Sequence, residues 1–108
     1  MQRGDIILCV LHGDYGKPRP VVVVQTNIVN DTHDSVTLCP LTTHLIDAAL
    51  FRVSVVPTKE NGLKEASQVM VDKISSQKRS KLRERIGSLT ADQLQKVNDA
   101  LRFWQDLR

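Results

Sequence analysis

Five stretches of the chain are rich in β-branched residues and bounded by turn-formers, the pattern of short strands: residues 5–11, 21–26, 35–41, 51–56 and 68–74. Residues 84–87 form a weaker sixth. In the second stretch Val21 to Val24 is an unbroken apolar run, which predicts a central strand covered on both faces. Pro20 cannot donate to a ladder and is read as that strand's first residue. Between His12 and Pro20 lie Gly13, Gly16 and Pro18, which predict a surface loop.

The pattern changes period near the end. Thr90-Ala91-Asp92-Gln93 has the form of a capping box, and behind it Leu94, Val97, Leu101 and Trp104 recur at three- and four-residue spacing. A C-terminal helix with one apolar face is expected there. Shorter helical turns are expected at 30–32 and 43–49. Six strands followed by one helix predict an α+β, barrel-like arrangement. At 108 residues the chain is expected to form a single domain, residues 1–108.

Composition narrows this picture modestly. Apolar residues make up 41% of the chain, which argues against disorder. The aromatics are Tyr15, Phe51, Phe103 and Trp104, so the core must be aliphatic. Cys9 and Cys39 lie far apart inside apolar runs and fit buried thiols in a reducing, cytoplasmic setting rather than a metal motif. His33 and His44 pair with neither cysteine at a metal-binding spacing, so no zinc site is expected. The first residues carry no apolar stretch of signal-peptide length, and no run is long enough to span a bilayer.

Net charge is +3, a weak signal in itself. Its distribution is more telling. Lys73, Lys78, Arg79, Lys81, Arg83 and Arg85 stand close together against one acid, Glu84. Such a stretch suits a phosphate-binding surface, and equally a solvated strand edge.

Four blocks then carry a resemblance: Arg3-Gly4-Asp5-Ile6; Arg19-Pro20-Val21-Val22-Val23-Val24-Gln25; Pro40-Leu41-Thr42-Thr43; and a broad block of Gly62-Leu63, residues 67–74, Leu82, Ile86-Gly87-Ser88-Leu89 and residues 97–101. In this order and at this spacing they resemble the MazF/PemK toxins along nearly the whole chain. The resemblance implies a twisted five-stranded antiparallel sheet, rolled into a small SH3-like barrel of the CcdB/PemK type with a long C-terminal helix. It also implies a homodimer, a cognate acidic antitoxin, and sequence-specific cleavage of single-stranded mRNA. That cleavage would leave 2′,3′-cyclic phosphate and 5′-hydroxyl ends and use neither metal nor cofactor. The alternative is a CcdB-like toxin of the same architecture that binds DNA gyrase without chemistry. It is disfavoured because the chain ends Phe103-Trp104-Gln105-Asp106-Leu107-Arg108 instead of the Trp-Gly-Ile of those toxins.

RNA can be cut without a metal because its own 2′-hydroxyl can attack the phosphate. The protein must then move protons and stabilise charge on phosphorus. Arg19, at the start of a strand, can clamp a phosphate with two hydrogen bonds, and the matching residue of the family is catalytic. Thr42 matches the family's catalytic threonine, although one of Thr42 and Thr43 is also expected to cap a turn. Asp72 matches an acid that serves as general base in some members; beside Lys73 it could equally be a surface ion-pair partner. The PemK branch has an arginine two positions earlier, where Met70 stands here. RNA contacts are expected from Tyr15, Lys17, Thr43, Lys73, Lys78, Arg79 and Arg83, with Tyr15 available to stack on a base. The first loop is shorter than in many members, which carry a Glu and several Gly there. His12 aligns only loosely with a histidine of one branch, so the cleavage motif does not transfer.

Overall fold

The computed structural model describes residues 1–108. The strands are β1 (Asp5–Val10), β2 (Pro18–Val23), β3 (Ser35–Thr42), β4 (Arg52–Val55), β5 (Ser67–Met70), β6 (Ser75–Lys78) and β7 (Leu82–Ser88), followed by helix α1 (Ala91–Gln105). They form one antiparallel sheet in the order β4-β5-β3-β2-β1-β7, with β6 on the first half of β3. The fold is therefore a mostly antiparallel sheet with one C-terminal helix, as expected. It has seven strands rather than five, and its barrel is not closed, because β6 and β7 are joined by the 3-10 turn Arg79–Lys81 without a ladder between them.

Side chains alternate across a strand, and β2 shows the consequence. Val22 and Val24 enter the larger core with Ile6, Leu41, Val69 and Val97. Val21 and Val23 enter a smaller core on the other face with Ile7, Val36, Leu38 and Cys9. Val21, Val22 and Val23 are fully buried, so β2 is the central strand its apolar run predicts. Cys9 and Cys39 face opposite cores. Burial pushes the Cys39 thiol up to about 12 and raises that of Cys9.

Several features differ from the sequence expectation. β2 begins at Pro18, not Pro20, and Pro20 pairs with Leu8 of β1. Proline is tolerated there because β3 has already left that side of β2. The stretch 68–74 is not one strand: it stops at Met70, turns through the 3-10 turn Val71–Lys73 and resumes as β6. The interruption moves the chain from the second half of β3, paired with β5, to the first half, paired with β6. The expected helical turns at 30–32 and 43–49 are hydrogen-bonded turns and bends without a helix.

The capping box at the start of α1 is formed. The Gln93 N–H donates to the Thr90 hydroxyl at 3.1 Å, and the Thr90 N–H donates to the Gln93 side chain at 2.9 Å. Val97 and Ala100 are buried against the sheet, while Trp104 is half exposed and meets Phe51 with ring centres 5.3 Å apart. No helix is long and apolar enough to cross a membrane.

Candidate active site

The β2–β3 ladder ends at the pair Val21 and Pro40. Pro20 and Pro40 have no N–H with which to extend it. β2 runs on to Pro18 paired with β1 alone, and the two strands part around a cleft of about 330 Å³. Continuing the register two steps past the last rung sets Arg19 opposite Thr42, and both line the cleft with Asp14, Thr43 and Ser67. The same proline-valine run that builds the central strand thus opens a polar gap at its end.

Arg19 is half exposed, and its Nε lies 3.6 Å from Asp14 Oδ2. That is a long, single contact, and the rest of the guanidinium is free to meet a ligand. Asp14 stands in a tight turn, in which its N–H donates to Leu11 O and its carbonyl accepts from the Lys17 N–H. The next residue, Tyr15, sits in the left-handed region at φ 52, uncommon for a bulky side chain, and projects fully into solvent. Thr42 Oγ1 accepts the His44 N–H at 3.1 Å. Its own hydroxyl proton is left to donate into the cleft, so Thr42 caps a turn and remains a donor. The segment beyond it is pinned by Gln68, whose buried amide donates to Ile46 O at 2.9 Å and accepts Ile46 N–H at 3.1 Å. A cation, a hydroxyl donor and a carboxylate acceptor thus share one cleft, the set needed to bind a phosphate and move a proton.

Asp72 is not part of this set. Both its oxygens accept from Arg52, at 2.7 and 3.0 Å, and the two side chains are largely buried. This hydrogen-bonded pairing holds the Asp72 carboxyl below the usual carboxylate range and raises Arg52. Arg52 lies on β4 and Asp72 in the turn after β5, so the pair ties the sheet edge to the point where β5 gives way to β6. Asp14 is the carboxylate that sequence reasoning passed over. Its signal is faint, an acid in a glycine-framed loop five residues before an arginine.

The basic stretch divides by use. Arg79 donates to the backbone carbonyls of Asn30 and His33, and its own N–H donates to Asp34 O, so it staples the turn before β3 to the end of β6. Arg83 donates to the carbonyls of Ser80 and Leu82, and Arg85 pairs with buried Asp5 at 3.1 Å. Lys73, Lys78 and Lys81 are exposed, with no ion-pair partner, as is Lys17 in the first loop. Of the expected RNA contacts, only Thr43 lines the cleft itself. Exposed His12 lies at the loop's start, outside the cleft lining. The first motif block is architectural: Arg3 donates to Val24 O at 2.9 Å, and Asp5 accepts Gln2 N–H as well as Arg85.

With this geometry in hand, the comparisons are consistent with one another. Residues 2–104 match the family described as PemK-like, MazF-like toxin of type II toxin-antitoxin system. The chain is 40% identical over 102 residues to the "Probable endoribonuclease MazF" of Mycolicibacterium smegmatis, covering 94% of this chain and 93% of that protein. The fold is similar to that of the Mycobacterium tuberculosis toxin MazF-mt6, with a TM-score of 0.84 and 29% identity over 96% of this chain and 98% of that one. It is equally similar, at a TM-score of 0.84 and 23% identity over 100% of this chain and 97% of that one, to a mycobacterial endoribonuclease solved with its cognate antitoxin.

Proposed function

The chain belongs to the PemK-like, MazF-like toxin family and is an endoribonuclease; from that premise we propose that it cuts single-stranded RNA in the cleft between β2 and β3, with the RNA's own 2′-hydroxyl as nucleophile. The observation that carries this reading is the meeting of Arg19, Thr42 and Asp14 in one cleft at the splayed strand ends. Arg19 binds the scissile phosphate through its guanidinium edge and remains charged as the phosphorane forms. Thr42 donates its hydroxyl proton to a non-bridging oxygen. Asp14, displaced from Arg19 by the phosphate, accepts the proton of the 2′-hydroxyl. The 2′-oxygen–phosphorus bond forms and the bond to the 5′-oxygen breaks. That oxygen takes up the proton that Asp14 had accepted, so the ends are a 2′,3′-cyclic phosphate and a 5′-hydroxyl and Asp14 returns to its carboxylate form. Neither a metal nor a water molecule enters this balance.

Asp72 has a structural part in this scheme, bracing β4, and so does Arg79. The exposed lysines at positions 17, 73 and 78 steer the polyanion. The partner is a cognate antitoxin, whose acidic segment would meet the same basic surface. A second copy of the chain is the further partner we propose; Leu50, Phe103 and Trp104, exposed together beside β4 and α1, are the surface it would cover. The gyrase-binding alternative is disfavoured by the endoribonuclease relatives, and Trp104 is engaged with Phe51.

The test is incubation of the purified protein with an unstructured RNA in EDTA. Discrete cuts ending in cyclic phosphate are expected, and a substrate with a single 2′-deoxyribose at the cut site should stay whole. Cleavage of that deoxy substrate would mean that water, not the 2′-oxygen, attacks.

A further inference from the structure

Beside the cleft lies a second depression, of about 430 Å³, which shares Pro20, Thr43 and Ser67 with it. Its floor is apolar, made by Leu8, Leu63 and Ile86, and its rim carries Lys64, Glu65 and Glu84. None of the three charged groups has an ion-pair or hydrogen-bond partner within the chain, and all are exposed. Glu84 is the one acid in the basic stretch from Lys73 to Arg85, a feature that phosphate binding does not explain.

The walls are rigid. Asn61 is buried, and its side chain accepts the N–H groups of Thr58 and Leu63, each at 3.0 Å, while donating to Val56 O at 2.8 Å. The loop is locked to β7 through Ser88 N–H on Glu60 O. Gly62, at φ 68, lies so close to β7 that a Cβ would collide with the Ile86 carbonyl oxygen. On the other side, β7 is bulged between its pairings with Ile7 and Cys9. The bulge lets Leu82 turn into the smaller core while Glu84, two residues on, stands on the opposite side at the rim.

We propose that this depression is a nucleobase subsite for one of the two bases flanking the cut, and that Glu65 and Glu84 select a base bearing an exocyclic amine over uracil. The proposal rests on the active-site reading above and deepens it. Two carboxylates repel a phosphate, so the depression does not continue the backbone track. Carboxylates only accept hydrogen bonds, and the amino groups of adenine, cytosine and guanine donate them. Uracil presents carbonyl oxygens at the corresponding edge, which the carboxylates oppose. The apolar floor takes the face of the ring, and Lys64 donates to a ring nitrogen or carbonyl beside the amine. The subsite is built before RNA arrives, since its loop is braced by Asn61 and not by the ligand.

The experiment measures binding of short oligonucleotides with a 2′-deoxyribose at the cut, differing only in the flanking bases, by wild type, Glu84→Ala and the Glu65→Ala/Glu84→Ala double variant. Wild type should favour an amine-bearing base over uracil at one flanking position by about 5- to 150-fold, the range of a good base-edge contact. The double variant should bring that ratio close to one with an unchanged melting temperature, and Glu84→Lys should reverse it. Equal affinities in wild type, or a ratio unchanged in the variants, would overturn the subsite. So would loss of antitoxin binding with base discrimination intact, which would make the depression a protein contact. The all-ribose oligonucleotides are assayed alongside for cleavage: discrimination without cleavage would sink the catalytic reading and leave the subsite standing.

Discussion

Two of the protein's arginine–aspartate pairs, which sequence alone would treat alike, stand in contrast. Arg52 and Asp72 make two short hydrogen bonds and are mostly buried; Arg19 and Asp14 make one contact of 3.6 Å, with the arginine half exposed. The first pair joins β4, at the sheet edge, to the turn after β5. The second spans the mouth of a cleft between strands that two prolines have separated. A tight buried pair spends its charge on the protein, because removing either partner leaves the other desolvated and unpaired. A loose, wet pair contributes little to stability and can be opened by a competing phosphate. The same two side-chain types brace the fold in one place and stay open to a ligand in the other, and hydrogen-bond saturation is what separates them.

The largest effect should come from opening the loose pair. Arg19→Ala should lower the single-turnover cleavage rate by about 10²- to 10³-fold, the usual cost of removing one transition-state donor, while the melting temperature hardly changes. Thr42→Val should fall in the lower part of the same range. A comparable loss from Arg52→Ala, measured per folded molecule, would erase the distinction.

The tight pair should show itself in stability. Arg52→Ala should destabilise the fold by about 1.5–3 kcal/mol in urea titration, leaving Asp72 with unmet hydrogen bonds. Its acid dependence follows from the lowered Asp72 pKa. A carboxyl whose pKa is depressed by folding adds stability above its unfolded value, about 3.9, and that stability is lost as pH falls from there through the lower folded value. Asp72→Asn should therefore reduce stability at pH 7 and flatten its decline below about pH 4. An unchanged acid limb would mean that the pair is not formed in solution.

The smallest effect concerns the lysines that belong to neither pair. Lys78→Ala should lower the slope of log affinity against log salt by about one and weaken all RNA sequences alike. Arg79→Ala should cost stability instead, since its donors hold the carbonyls of Asn30 and His33.

These differences explain what was legible beforehand. The central strand could be read because its valines alternate into two cores, and α1 because its capping box is local. β6 could not, because Ser75–Lys78 is polar and gains its place only by pairing with β3, some 40 residues earlier in the chain. Arg19 and Thr42 were visible through the motif blocks around them, though nothing in their spacing says that they face each other. Asp72 looked like a candidate base because its partner, Arg52, is 20 residues away. Asp14 was hidden for the opposite reason: the loop that carries it departs from the family pattern, and only the fold returns it to the cleft.

The most direct test compares the two carboxylates. Asp14→Asn and Asp72→Asn should be assayed for single-turnover cleavage, each at a temperature where it is fully folded. Asp14→Asn should lose about 10²- to 10⁴-fold, the worth of a general base, and Asp72→Asn should keep a rate close to wild type. A near-normal rate for Asp14→Asn together with a collapse for Asp72→Asn would contradict the account, placing the proton acceptor in the buried pair and not in the cleft.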